Sequence, residues 1–230
     1  MNLESLFGEE WYNALETLLR SEYFSKLGQR VSQERMSYTI YPEKGSDLLF
    51  KAFRTTPLSK VRVVILGQDP YHDGSYDGFA FSNKGKFTLS PSLKNIFKEV
   101  ENDVYDNLRL DQDPDLERWA KQGVLLINTA HTVIKGNPAS HFEMWVPFTR
   151  RVIDVLSKQD RPITWILWGK KAGDLANISR LIEVTKGRHQ VLASPHPSPF
   201  SAHLGFFGSK PFSQTNKFIE DGRLGNAISW

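Results

Sequence analysis

The chain has 230 residues, enough to bury a core without disulfide or metal staples. Hydrophobic residues make up 40% and charged residues 24%, the balance of a globular chain rather than a disordered or fibrous one. The absence of Cys excludes a disulfide scaffold, a thiol nucleophile, a Cys-ligated zinc and an iron–sulfur cluster, and the formal charge of +3 permits a polyanion partner without requiring one.

No run of about 18 apolar residues occurs, which argues against a membrane-spanning helix and a membrane partner. The opening MNLESLFGEEWYNAL is acidic and amphipathic, unlike a secretory signal or an Arg-rich transit peptide, so a cytoplasmic location is the expectation. From Leu3 to Phe24, apolar residues at Leu6, Phe7, Trp11, Leu15, Leu18 and Leu19 recur at spacings near three and four, predicting one amphipathic helix. The stretch Gly28 to Lys51 reads as irregular, with Pro42 in an extended segment. Val61 to Leu66 is β-branched and almost uniformly apolar, and it halts at Gly67. Such a strand, buried on both faces, belongs in a parallel sheet covered by helices.

Its expected partners are Val124 to Asn128, Ile163 to Trp168 and Gln190 to Ala193. Helical patterns fill the intervals at Ser92 to Val100, Leu116 to Lys121, Glu143 to Ser157 and Lys171 to Leu181, and Pro211 to Asp221 forms a last helix. Ser90-Pro91 supplies a cap and a first-turn proline for the first of these. The alternation predicts an α/β chain, a three-layer α/β/α arrangement with a central four-stranded parallel sheet. No repeat or Gly/Ser linker divides it, so one domain over 1–230 is expected. The acidic segment Glu101 to Arg118 reads as a solvated loop and helix entrance.

Ligand sites of parallel sheets lie beyond the carboxyl ends of the strands. There the chain places Gly67-Gln68-Asp69-Pro70-Tyr71-His72, then Asn128-Thr129, Gly169-Lys170, and Ser194-Pro195-His196-Pro197-Ser198-Pro199. If the strand order puts these loops on one rim, a carboxylate, an amide and an imidazole converge. Asp69 can orient a water or stabilise cationic charge, and Asn128 can read a planar amide edge. His196, flanked by prolines, can donate to an oxygen that becomes negative. Phe81 is a ring close behind the Asp69 loop in sequence. Singly, each residue has a plainer explanation as a turn former, an Asx-turn, a packed loop or a core ring; together they point to a site.

These runs, with His196-Pro197-Ser198-Pro199 followed by Gly205-Phe206-Phe207-Gly208, closely resemble the uracil-DNA glycosylase family in its uracil-excising branch. Pro91 to Ile96, Trp165 to Lys170 and Asn226 to Trp230 are similar to further family stretches. The resemblance implies cleavage of the N-glycosidic bond of deoxyuridine in DNA, leaving an abasic site, with no metal and no organic cofactor. By this resemblance Asp69 positions the water and supports an oxocarbenium-like sugar. His196, neutral near pH 7, hydrogen-bonds uracil O2 as charge builds on the leaving base. Asn128 reads the N3 and O4 edge, Phe81 stacks on the ring, Tyr71 crowds the 5-position against a thymine methyl, and Gln68 completes the uracil-binding set. His72, Ser92, Lys170, Ser198, Phe200 and Ser201 face the DNA. Implied partners are uracil-containing single- and double-stranded DNA and a uracil-glycosylase inhibitor protein, and a monomer is expected. No Lys stands in the central motifs, which favours a monofunctional enzyme over a lyase.

The chain also departs from the family pattern. Phe200 stands where the family carries a Leu that enters the vacated base stack; it acts as a wedge or folds back onto Phe206 or Phe207. The stretch 72–78 is shorter and more acidic, with Asp73 and Asp77 expected at a DNA-facing rim. His131 replaces an aliphatic residue and either touches DNA or is structural. Lys84 and Lys86 are expected phosphate contacts, and His203-Leu204 lacks the usual aromatic and basic pair. The rival readings are a metal-dependent hydrolase using Asp69, His72, Asp73 and His196, a nucleotide-phosphate module, and a DNA-binding protein that has lost catalysis. The phosphate module is weakened by the absence of GxGxxG and Walker patterns.

Overall fold

A computed structural model describes the backbone of residues 2–83, 89–222 and 224–230, and the side chains of these except at 178, 179, 182 and 184. The expected sites at Lys84 and Lys86 lie outside the described residues. In chain order come α1 (Leu3–Phe7), α2 (Glu9–Leu19), α3 (Glu22–Glu34), β1 (Ile40–Tyr41), α4 (Lys51–Thr55), β2 (Val63–Gly67), α5 (Pro91–Val104), α6 (Glu117–Ala120), β3 (Val124–Asn128) and β4 (Val133–Ile134). There follow α7 (Phe142–Ser157), β5 (Thr164–Trp168), α8 (Lys170–Ala176), α9 (Ile178–Thr185), β6 (Gln190–Ser194) and α10 (Pro211–Asp221).

The expected central sheet is present. Its order is β3-β2-β5-β6, and every neighbouring pair is parallel. β2, β3 and β5 are buried along their whole length, which is why they read as unbroken apolar runs. The register sets Gly67 beside Asn128 and Trp168 beside Ser194, so the loops that follow all four strands leave at one rim. Convergence, conditional in the sequence, is a property of the fold.

Three expectations are corrected. The helix foreseen over Leu3 to Phe24 is broken into three, because Gly8 takes φ +80° between α1 and α2 and the Ser21 side chain caps α3 by accepting from the Phe24 N–H. The segment from Gly28 is helical as far as Glu34, and Ile40–Tyr41 then pairs antiparallel with Val133–Ile134, a two-residue ladder too short to leave a periodic signal. The helix foreseen over Lys171 to Leu181 is interrupted by Asn177, whose φ of +48° ends α8. The Ser90-Pro91 start is as expected: Ser90 Oγ accepts from the Leu93 N–H at 3.2 Å.

Candidate active site

The site begins with a close approach that only glycine permits. A Cβ on Gly67 would stand 2.1 Å from Asn128 Oδ1 and 3.0 Å from the Ala80 Cβ. The Asn128 amide therefore lies directly over the end of β2. Beyond the strands the pairing continues, with the Thr129 N–H donating to Gly67 O and the Ala130 N–H to Gln68 O, both at 2.9 Å. These bonds fix the Asn128 loop against the Asp69 loop. Asn128 is buried, and among the described residues its Nδ2 has no hydrogen-bond partner. A buried donor left open in a native fold calls for an unseen acceptor.

Both Asp69 oxygens are held. Oδ1 accepts from Gln68 Nε2 at 3.1 Å and Oδ2 from the Ala139 N–H at 2.6 Å. Gln68 is in turn set by Lys171, whose Nζ donates to its Oε1 at 2.9 Å. The sequence points to neither Ala139 nor Lys171: a backbone donor carries no side-chain signature, and Lys171 stands one position beyond Lys170, the residue that the family resemblance marks.

Tyr71 is locked at its phenol. It donates to the Phe81 carbonyl at 2.9 Å, which leaves Ser90 Oγ, 2.6 Å away, to donate to it. Burial pushes the Tyr71 pKa up to about 12, so it remains a neutral donor. Ser90 thus caps α5 and anchors Tyr71 with one hydroxyl. The Phe81 ring meets Trp168 edge-on at 5.3 Å and His196 at 5.8 Å between centroids.

His196 has its tautomer set by the backbone. The Ser198 N–H donates to Nδ1 at 3.0 Å, so a neutral ring carries its proton on Nε2. Burial lowers its pKa, which favours that neutral form. The loop is tied down by Ser201 Oγ donating to His196 O at 2.8 Å and by Asn95 Nδ2, from α5, donating to Pro197 O at 2.7 Å. Ser198 and Ser201 hydroxyls lie 3.0 Å apart. A cavity of about 310 Å³ opens between the ends of β2 and β5, with Gly67, Gln68, Trp168, Lys171, His196 and Ser198 on its walls.

Of the remaining expected residues, Lys170 also lines this opening. Ser92 is half-buried in the first turn of α5, and His72 is exposed. Lys170 is exposed and paired with Asp174 rather than with the site. Phe200 is 92% exposed, which overturns folding back onto Phe206 or Phe207. His131 is not a surface group. It is buried among Phe50, Phe53, Trp145 and Phe148, and burial drives its pKa down to about 3. Asp77 likewise leaves the rim for the interior, where it lies against the Ser82 hydroxyl and accepts from the Phe79 N–H, whereas Asp73 is exposed and accepts from Ser75 within its own turn. Among the described residues no three His, Asp or Glu side chains are grouped to hold a metal ion, so Asp69, His72, Asp73 and His196 do not form a ligand set.

Residues 53–220 match the family model described as the uracil DNA glycosylase superfamily. A uracil-DNA glycosylase of Brevibacillus brevis is 41% identical over 230 residues, covering 99% of this chain and 96% of the relative. The crystal structure of mimivirus uracil-DNA glycosylase superposes with a TM-score of 0.87 at 26% identity, over 99% of this chain and 89% of that one. A variant of mimivirus UNG solved in complex with UGI gives a TM-score of 0.86 at 26% identity, over 100% of this chain and 91% of that one.

Proposed function

The chain belongs to the uracil DNA glycosylase superfamily, and from that membership we propose that it hydrolyses the N-glycosidic bond of deoxyuridine in DNA, releasing uracil and leaving an abasic site. The observation that carries this reading is the open, buried Nδ2 donor of Asn128 at the same rim as an imidazole whose Nδ1 is already occupied. Uracil has a carbonyl oxygen at O4 for Asn128 and another at O2 for the Nε2–H of His196. Cytosine exchanges a donor and an acceptor on the edge that Asn128 faces, which would leave buried polar atoms unpaired. Thymine adds a methyl where a locked Tyr71 has no freedom to yield.

In the reaction the C1′–N1 bond breaks with its electron pair going to the base. The His196 Nε2–H stabilises the charge growing on O2. The Asp69 carboxylate lies opposite in role: it supports the cationic sugar and orients the water whose oxygen bonds to C1′, while the water's proton is released and the uracil anion is later protonated. Gln68 and the Ala139 N–H hold that carboxylate in place. In duplex DNA the base must first be flipped out of the stack. The exposed Phe200 suits the role of a wedge, and His72, Ser92, Lys170, Ser198 and Ser201 that of contacts to the DNA backbone. The same face suits a glycosylase inhibitor protein as partner. We take the enzyme to act as a monomer on both single- and double-stranded DNA, without strand cleavage.

A gel assay on short single-stranded and duplex DNA carrying U, T or C, with alkali revealing abasic sites, tests this. Cleavage is expected at U alone, with a large loss in Asp69→Asn and a loss on the order of 10²-fold in His196→Ala, the scale of one removed oxyanion donor. Tyr71→Ala is expected to release some thymine. Intact uracil-DNA after incubation with the purified protein would refute the proposal.

A further inference from the structure

Phe81 is the third residue of a turn over 79–82, closed by the Ser82 N–H donating to Phe79 O at 3.3 Å. Its φ of +66° is the left-handed region where such turns favour Gly. A bulky residue persists there only when its surroundings over-determine it. The Ala80 N–H donates to Leu126 O of β3 at 3.1 Å, and Tyr71 holds the Phe81 carbonyl. The buried Asp77 grips both ends of the turn: Oδ1 accepts from the Phe79 N–H at 3.3 Å, and Oδ2 lies 2.6 Å from Ser82 Oγ.

Counting protons around Ser82 shows what this grip requires. Its Oγ accepts from the Leu116 N–H at 2.9 Å and lies 3.0 Å from Pro114 O as well as 2.6 Å from Asp77. One hydroxyl hydrogen cannot serve Pro114 and an ionised Asp77 together. With a proton on Asp77, the acid donates to Ser82 and Ser82 donates to Pro114, so every contact is a hydrogen bond.

The surroundings permit that proton. Burial raises the Asp77 pKa to about 6, against the opposing bonds from Ser82 and the Phe79 N–H and with Asp115 acting in the same direction as burial. Lys51 of α4 opposes the shift, but its ammonium is paired with Glu117 of α6 at 2.8 Å. Tyr71 and Tyr76 also face Asp77 and bring no positive charge.

We propose that Asp77 is a positioning residue for Phe81: as a neutral acid it donates to Ser82, closes the turn at both ends and fixes the ring beside His196. Once ionised, Asp77 can only accept, so the Ser82 hydroxyl turns its hydrogen bond to Asp77 and the Ser82–Pro114 bond is lost, leaving Pro114 O with the Asn83 N–H at 3.2 Å. The ring platform then loosens as pH rises through the Asp77 transition. The effect on substrate rests on the reading of Phe81 as the surface on which uracil stacks; the coupling of Asp77 to Phe81 concerns the free protein.

The test uses wild type, Asp77→Asn, Asp77→Ala and Ser82→Ala. In free wild type labelled with ¹³C at Asp and Phe, the Asp77 carboxyl and the Phe81 ring signals should titrate together with a midpoint near 6. Asp77→Asn, whose amide keeps both contacts, should make the Phe81 signals independent of pH and hold KM for a uracil-bearing single strand at its low-pH wild-type value. Asp77→Ala and Ser82→Ala should raise KM about tenfold, the equivalent of one net hydrogen bond, with kcat little changed. Phe81 signals that ignore the Asp77 titration, or a KM in Asp77→Asn as high as in Asp77→Ala, would overturn the proposal. If wild type releases no uracil, the glycosylase reading fails, and the NMR titration still decides the role of Asp77.

Discussion

His196 and Asn128 show how a side chain acquires a chemical role from a single backbone neighbour. The Ser198 N–H on Nδ1 selects one imidazole tautomer, and the end of β2 presses against the Asn128 amide while leaving its Nδ2 open. Protonating His196 at Nδ1 would turn an acceptor into a donor facing a donor. The ring should therefore stay neutral at pH 7, with ¹⁵N shifts reporting protonated Nε2 and bare Nδ1, and it should charge only below the ordinary histidine value near 6.5. Since catalysis uses the neutral form, kcat/KM should fall as pH drops through that transition. An imidazolium signal at pH 7 would contradict the assignment. At this scale the sequence was legible where a residue type is scarce in its setting, as with a His between prolines. It misled at Asp77, because an acid in a polar-looking loop carries no mark of the groups that bury it, and for the same reason it left His131 open between a DNA contact and the structural role it has.

The strands and their exits place these groups, and glycine is decisive at one point. Replacing Gly67 with Ala puts a methyl 2.1 Å from Asn128 Oδ1, so the amide must move. Gly67→Ala is expected to lower stability by about 1–3 kcal/mol, as overpacking does, and to lose uracil-DNA activity by more than that loss of folded protein accounts for. Denaturant melts set beside initial rates separate the two. The apolar strands could be read directly because burial on both faces leaves them as unbroken apolar runs, although their register was not readable from that pattern. Helix ends were harder. The break at Gly8 and the left-handed Asn177 lie inside a periodic apolar pattern that continues across them. Part of the acidic stretch 101–118 also has local work, with Glu101 accepting from the Leu110 N–H and Gln112, and Asp113 and Asp115 from N–H groups two residues ahead. Asp103 of the same stretch accepts the Phe212 and Ser213 N–H groups at the start of α10.

The response of the whole molecule to pH combines opposing groups. His131, neutral and buried, has a folded pKa of about 3 against 6.5 unfolded, so its contribution is present above 6.5 and is lost as pH falls toward 3. At 1.36 kcal/mol per unit this is on the order of 5 kcal/mol. Glu117, lowered to about 2 by Lys51 and then Lys121, adds stability that is present above 4.5 and is lost as pH falls through 2. Asp77 runs the other way, favouring the fold below 3.8 and losing that contribution as pH rises through 6. Between pH 6 and 4.5 His131 and Asp77 oppose one another, so urea midpoints of wild type should change little there, whereas in His131→Phe, which keeps the aromatic packing, they should rise as pH falls; a wild-type-like profile in that variant would remove His131 as a contributor. The parallel α/β/α class, the four sheet strands and the motif loops after them were determined by the sequence alone, because apolar runs and Pro-flanked polar residues are local signals. The strand order that gathers Asp69, Asn128 and His196, the Ala139 and Lys171 supports, and the turn that Asp77 closes under Phe81 were decided only by tertiary structure. Each depends on contacts between residues far apart in the chain, and burial and hydrogen-bond partners are not encoded in the spacing of residues along it.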